Sequence, residues 1–197
     1  MMGGSFDPVH IGHISFVRDV LNQLQMDEVV FMPAKLQPFK LDIELSSFVD
    51  RLNMLKLAIK NEPGMRVSPL ENQLPGVSYT HRTLQEFKKD MDKNSKLYFM
   101  VGTDTFVQMD TWKEPERLLR DNAIIVANRP GYDEEKILLK KSEYEKKFGS
   151  EIILVENKEI YLSSTDIRKK VIAGEPLTDM VHRDVEAYIK EKGLYRS

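Results

Sequence analysis

Apolar positions follow two rhythms along the chain. From Ile11 onward they recur at Ile14, Phe16, Val17, Val20, Leu21 and Leu24, which is helical spacing. The same period returns at Leu52, Leu55, Leu57 and Ile59, at Thr83, Leu84, Phe87 and Met91, and from Val181 through Val185, Tyr188 and Ile189 to Gly193. The helix around Leu52 is opened by Ser47-Phe48-Val49-Asp50, a capping box with Asp in place of Glu, and is ended by Glu62-Pro63-Gly64. Thr80 is the predicted N-cap of the helix around Leu84. Between these segments lie short unbroken apolar runs: Val29-Val30-Phe31-Met32 before Pro33, Leu97–Val101 before Gly102, Ala123–Asn128, and Ile152–Val155. Such runs read as buried strands, with Arg66–Pro69 as a brief further one. Strand alternating with helix predicts parallel βαβ units. The expected fold class is therefore α/β, one domain over residues 1–197 with a doubly wound, mostly parallel sheet and helices on both faces. Residues 34–45 show no period and read as a loop. Residues 132–150, crowded with lysine and glutamate, read as a solvated helix with flexible ends and no chemistry.

Composition narrows the function classes. Of 197 residues, 41% are hydrophobic and 30% charged, ordinary for a soluble globular protein. A formal net charge of −2 lacks the broad basic footprint of a general nucleic-acid binder, yet leaves room for a local basic pocket. With no cysteine there is no disulfide framework and no thiol chemistry. No basic leader with an apolar core and no membrane-length apolar run occurs, so a cytoplasmic location away from membranes is expected.

The candidate chemistry begins at Gly3-Gly4-Ser5-Phe6-Asp7-Pro8-Val9-His10-Ile11-Gly12-His13. A glycine turn feeding a helix start gathers unpaired backbone N–H groups and the positive dipole end around one point, where an anion can sit. His10 and His13, at i and i+3, emerge on one side near that point, with Gly12 leaving space between them. A plain turn with two solvated histidines is the bland alternative. Half of a zinc site is another, but neither cysteine nor H-E-x-x-H completes it. Near the other end, Leu162-Ser163-Ser164-Thr165-Asp166-Ile167-Arg168 sets three hydroxyls before a helix start and an arginine one turn in. Hydroxyls, helix-start N–H groups and a guanidinium fork make a second anion site, although a Ser/Thr cap with an exposed arginine is a common arrangement. Gly102 and Asp104 close the run from Lys96, and Arg129 follows Asn128. Carboxyl ends of parallel strands are where ligands collect, and an acidic side chain there can hold ribose hydroxyls. Asp104 could equally cap the short helix expected over residues 105–109. The single Trp112 reads by itself as a packing anchor, and Ser78-Tyr79-Thr80 as capping and packing.

The first string resembles the (T/H)-x-G-H nucleotidyltransferase signature in the form found in bacterial nicotinate-mononucleotide adenylyltransferases, and Ser-Ser-Thr-x-Ile-Arg resembles that family's second signature. The resemblance implies a Rossmann-like nucleotidyltransferase fold whose helices from about residue 163 complete an ATP site. It implies adenylyl transfer from ATP to nicotinate mononucleotide, with Mg2+ accompanying ATP as co-substrate and no dedicated protein metal site. His10, His13, Arg168 and Lys40 would be the catalytic set. Gly3, Gly4, Ser5, Phe6, Arg129, Ser163, Ser164 and Thr165 would hold ATP; Tyr79, Thr80, Gly102, Asp104 and Trp112 would hold the mononucleotide. The family often has His where Phe39 precedes Lys40, and proline where His182 stands on what reads as a polar surface. Members also begin with a longer strand before Gly-Gly. Here Met1 and Met2 precede it, so the middle of the sheet is expected to be shortened, continued upstream, or filled by another strand. Nicotinamide mononucleotide or phosphopantetheine as acceptor, and a non-catalytic nucleotide sensor, stay open, as does self-association.

Overall fold

The computed structural model describes residues 1–35, 45–77, 79–128, 133–156 and 162–196. Their strands form one six-stranded sheet in the order β3-β2-β1-β4-β5-β6, and every pairing is parallel. The strands are β1 Met2–Gly4, β2 Val29–Pro33, β3 Met65–Val67, β4 Tyr98–Gly102, β5 Ala123–Asn128 and β6 Ile152–Glu156. This is the doubly wound order, and its direction reverses between β1 and β4. The middle of the sheet is thus made by Met2–Gly4 itself. Met2 lies opposite Phe31 on one side and Met100 on the other, and the Met100 N–H donates to the Met1 carbonyl at 2.8 Å. Among the described residues no other strand stands in for it.

Alternation along each strand splits the core in two. Phe31, Met100, Ile125 and Val155 face one layer; Val30, Met32, Phe99, Val101, Ile124 and Val126 face the other. The first layer receives α1 (Ile11–Leu24), α2 (Phe48–Ala58), α8 (Ser164–Ile172) and α9 (Arg183–Lys192). The second receives α4 (Thr80–Lys89), α5 (Thr103–Phe106), α6 (Pro115–Arg120) and α7 (Glu134–Phe148). α3 (Leu70–Gln73) links β3 to α4. Burial on both faces explains why β2, β4 and β5 are near-continuous apolar runs. No helix among the described residues is long and apolar enough to cross a membrane.

Several local expectations change. The charge-rich segment is α7, and it is not solvated all round: Ile137, Tyr144 and Phe148, at i, i+7 and i+11, make a buried stripe. α6 starts at Pro115, the first-turn position that proline favours, a signal the periodicity did not carry because the helix has six residues. Thr80 is not a cap; Tyr79 occupies that position, with no side-chain bond to the helix. Asp104 lies inside the first turn of α5, which Gly102 precedes, so it is not the cap of a helix over 105–109. His182 is no idle surface residue: its Nδ1 accepts the Asp184 N–H at 3.2 Å and caps α9.

Candidate active site

The carboxyl ends of β1 and β4 meet where the strand order reverses, and most of the described candidates gather around them. Gly4 ends β1, and the chain turns over Phe6, whose φ is +51°. The Phe6 ring lies back over Gly4, where a Cβ would meet ring carbons at 3.1–3.3 Å, so any larger residue there would press on the ring. Phe6 also meets Phe31 and His13 edge-on at centroid distances of 5.6 and 5.1 Å. α1 then begins, with His10 as its N-cap residue. The His10 and His13 rings are stacked, 3.7 Å between centroids and 29° between planes, and the His10 N–H donates to His13 Nδ1 at 3.2 Å. His10 is buried, while His13 is half-buried. The two imidazoles are one unit presented at the head of α1.

The N–H groups at this point are less open than the sequence suggests. Ile11 donates to the Met180 carbonyl and His13 to the His10 carbonyl, both at 3.0 Å. A helix-start amide satisfied inside the protein offers less to an anion. The loop before α9 therefore braces α1 at the cost of part of the expected cradle.

The two signatures, far apart in sequence, are joined directly. Ser164 Oγ donates to the Pro8 carbonyl at 2.9 Å, and Arg168 Nη1 donates to the Asp7 carbonyl at 2.7 Å. Arg168 Nη2 reaches Thr165 Oγ1 at 3.2 Å. Ser163 is the cap of α8: its Oγ accepts the Asp166 N–H at 3.1 Å and donates to the Asp166 carboxylate at 2.6 Å. All three hydroxyls thus have a partner inside the fold, and Thr165 stays exposed beside the guanidinium.

The second group lies across the switch point. Gly102 ends β4; Thr103 Oγ1 donates to the Ala127 carbonyl at 2.6 Å and fixes that end to β5, leaving Asp104 exposed at the rim. Trp112 packs edge-on against Phe99 at 6.4 Å, and Phe99 in turn abuts Gly3, so the indole is tied to the first signature. Tyr79 stacks on His81 at 6.1 Å, and His81 Nε2 lies 3.4 Å from Glu114, which links the start of α4 to the Trp112 segment. Ser78, Lys40 with Phe39, and Arg129 lie outside the described residues. A separate cavity of about 890 Å³ opens at the opposite, amino-terminal ends of the strands, lined by Met1, Val30, Arg66, Leu70, Phe87 and Tyr98, and holds none of the candidates.

Two organising residues escaped the sequence reading. Arg51, only 2% exposed, donates to three backbone carbonyls: Nη1 to Ser5 and Ala34 at 2.8 Å each, Nε to Ser46 at 3.0 Å. Burial pushes its guanidinium below the usual arginine range, and the Asp7 charge opposes that. Asp7, 1% exposed, accepts at both carboxylate oxygens, from Tyr195 Oη at 2.6 Å and the Ser46 N–H at 3.2 Å. The signal for Arg51 is a charge placed on the apolar stripe of Met54, Leu55 and Ala58. Asp7 stands inside the first signature, and nothing in its neighbours along the chain marks it as buried.

Comparison with known proteins agrees with this fold. The family described as cytidylyltransferase-like matches residues 1–170. The chain belongs to that family. A probable nicotinate-nucleotide adenylyltransferase of Clostridium tetani (strain Massachusetts / E88) is 34% identical over 196 residues, covering 100% of this chain and 98% of the relative. Another protein of that name, from Roseiflexus sp. (strain RS-1), is 36% identical, covering 100% and 96%. Among solved structures, Plasmodium falciparum nicotinic acid mononucleotide adenylyltransferase complexed with NaAD superposes with a TM-score of 0.80 at 25% identity, covering 98% of this chain and 95% of that one. The cytidylyltransferase-like match ends within α8, so the family region contains both signatures, while α9 and the Tyr195 contact lie beyond it.

Proposed function

We propose that this chain is a nicotinate-nucleotide adenylyltransferase, joining nicotinate mononucleotide and ATP into nicotinate adenine dinucleotide with release of pyrophosphate. The observation that carries the reading is the direct hydrogen bonding of Ser164 and Arg168 to the Pro8 and Asp7 carbonyls at the β1/β4 switch point. It joins the two signature segments directly, in a chain that its adenylyltransferase relatives match from end to end, and so supports a shared binding site for both.

A phosphate oxygen of the mononucleotide attacks the α-phosphorus of ATP in line. The new O–P bond forms as the bond to the β-phosphate oxygen breaks, and the electron pair leaves with pyrophosphate. No covalent enzyme intermediate is needed, so the protein acts by positioning and by stabilising charge. The stacked His10–His13 unit faces the triphosphate and the charge that grows on it. Arg168, Thr165, Ser163, Ser164 and Lys40 receive the leaving pyrophosphate, Arg129 assists on ATP, and the turn Gly3–Phe6 lines the phosphate side. Tyr79, Thr80, Gly102, Asp104 and Trp112 hold the mononucleotide.

Among the described residues no three His, Asp or Glu side chains converge as metal ligands. Mg2+ held by phosphate oxygens and water needs no such cage. When bound, it shares neutralisation of the phosphate charge.

The deciding measurement is pyrophosphate release with ATP and each acceptor in turn. Nicotinate mononucleotide is expected to turn over well ahead of nicotinamide mononucleotide and phosphopantetheine. Binding of ATP with no pyrophosphate from any acceptor would instead identify a sensor.

A further inference from the structure

A tyrosine beyond the family-matched region reaches back to the first signature. Tyr195 Oη donates to Asp7 Oδ1 at 2.6 Å, across 188 positions of sequence. That is a short hydroxyl–carboxylate hydrogen bond. Asp7 is a junction: its carboxylate accepts from Tyr195 and from the Ser46 N–H, and its carbonyl accepts from Arg168. We propose that Tyr195 is a positioning residue of the nucleotide site, its hydroxyl holding the Asp7 carboxylate and thereby the turn whose carbonyl seats Arg168. This rests on the reading of Arg168 as a triphosphate ligand.

Three further observations bear on it. Tyr195 and Phe6, the residue before Asp7, both sit in the left-handed region, with φ of +62° and +51°. Bulky side chains rarely adopt that conformation, and it persists where surrounding contacts over-determine it. Burial, and then the Asp7 charge, push the Tyr195 phenol above its usual range, so it remains a donor throughout the working pH range. Finally, α9 does not need Tyr195 to dock. Tyr188 Oη donates to Asp50 Oδ1 at 2.9 Å and accepts from Asn53 Nδ2 at 3.1 Å, a separate anchor on α2.

Loss of the Tyr195 hydroxyl leaves Asp7 Oδ1, an acceptor with almost no access to water, without its donor. The carboxylate then turns or admits water, and the Asp7 peptide moves with it. Arg168 is left with its weaker bond to Thr165.

The test uses the full chain carrying Tyr195→Phe, which keeps the ring, beside Tyr188→Phe, which removes the other hydroxyl anchor. Well below melting, Tyr195→Phe is expected to raise the KM for ATP by about tenfold, with the KM for nicotinate mononucleotide held within about twofold. Tyr188→Phe should lower the melting temperature and leave the KM for ATP unchanged. Calorimetric affinity for a non-hydrolysable ATP analogue should follow the same pattern. In an Arg168→Ala background, Tyr195→Phe should produce no further loss of analogue affinity. Unchanged ATP affinity in Tyr195→Phe, equal losses in both tyrosine variants, or additive losses with Arg168→Ala would each overturn the proposal. Analogue affinity needs no turnover, so a wild-type chain inactive with nicotinate mononucleotide would defeat the functional reading and still leave this one decided.

Discussion

At Arg51 a full positive charge sits almost out of reach of water, and three carbonyls from three segments accept its hydrogen bonds. Those segments are the turn after β1, the end of β2 and the approach to α2. Arg51→Met leaves the carbonyls short of donors and removes the charge opposite Asp7, which is expected to destabilise the fold by about 3–5 kcal/mol. Urea unfolding measures this directly, and a variant as stable as wild type would show that water replaces the guanidinium. His13 is a different case. Its ring is half-buried, and the hydrogen bond it accepts from the His10 N–H is worth about 1 kcal/mol. His13→Ala should therefore fold, while pyrophosphate release falls by roughly 10²–10³, the usual effect of removing one preorganised electrostatic partner. Near-normal turnover in a folded His13→Ala chain would remove the histidine pair from the mechanism.

Among the elements, α7 shows how charge hides a packed face. Its Tyr144 is fully buried; the hydroxyl accepts the Asp110 N–H at 3.1 Å and donates to the Phe106 carbonyl at 3.3 Å, and burial pushes the phenol up to about 12. Lys140, one turn before it, donates to Asp110 Oδ2 at 2.7 Å and lies 4.9 Å over the Tyr144 ring. The Lys140 hydrogen bond holds the Asp110 carboxyl below the usual carboxylate range. A depressed folded-state value means stability that is present above the unfolded value of about 3.9 and lost as pH falls through the folded value. Asp110→Asn should lower stability at neutral pH by no more than about 1 kcal/mol, because the pair is partly solvated. The two unfolding curves should converge at the acid end; a constant gap at every pH would place the effect elsewhere than the charge. The same scale shows what was readable locally. Ser47 and Ser163 cap their helices as their residue type and spacing indicate, since the hydroxyl reaches an N–H within its own turn. His182 caps α9 without belonging to the preferred capping residues, and Thr80 yields the position to Tyr79, its neighbour Thr83 bonding instead to Glu71 at 2.9 Å.

At the scale of the molecule, the strand order puts the reversal between β1 and β4, so the two glycine-ended strands deliver their loops to one crevice. Both neighbours of β1 are longer than it, and Met1 itself takes part in the β4 ladder. The α1, α2, α8 and α9 layer then brings residues near both chain ends into contact. Pro8 meets Ser164 and Asp7 meets Arg168 and Tyr195.

Amino-acid order alone determined what depends on near neighbours. Strand and helix periods, the parallel α/β class and the two signature strings are all written in spacings of a few residues, where backbone sterics and burial of one face act locally. Tertiary structure decided which polar groups are shut away from water together. The Arg51 hub, the Asp7 junction and the loss of the Ile11 amide to Met180 are matters of desolvation across the packed interior, and a buried charge or N–H takes whatever partner the fold brings within reach, however distant in the chain.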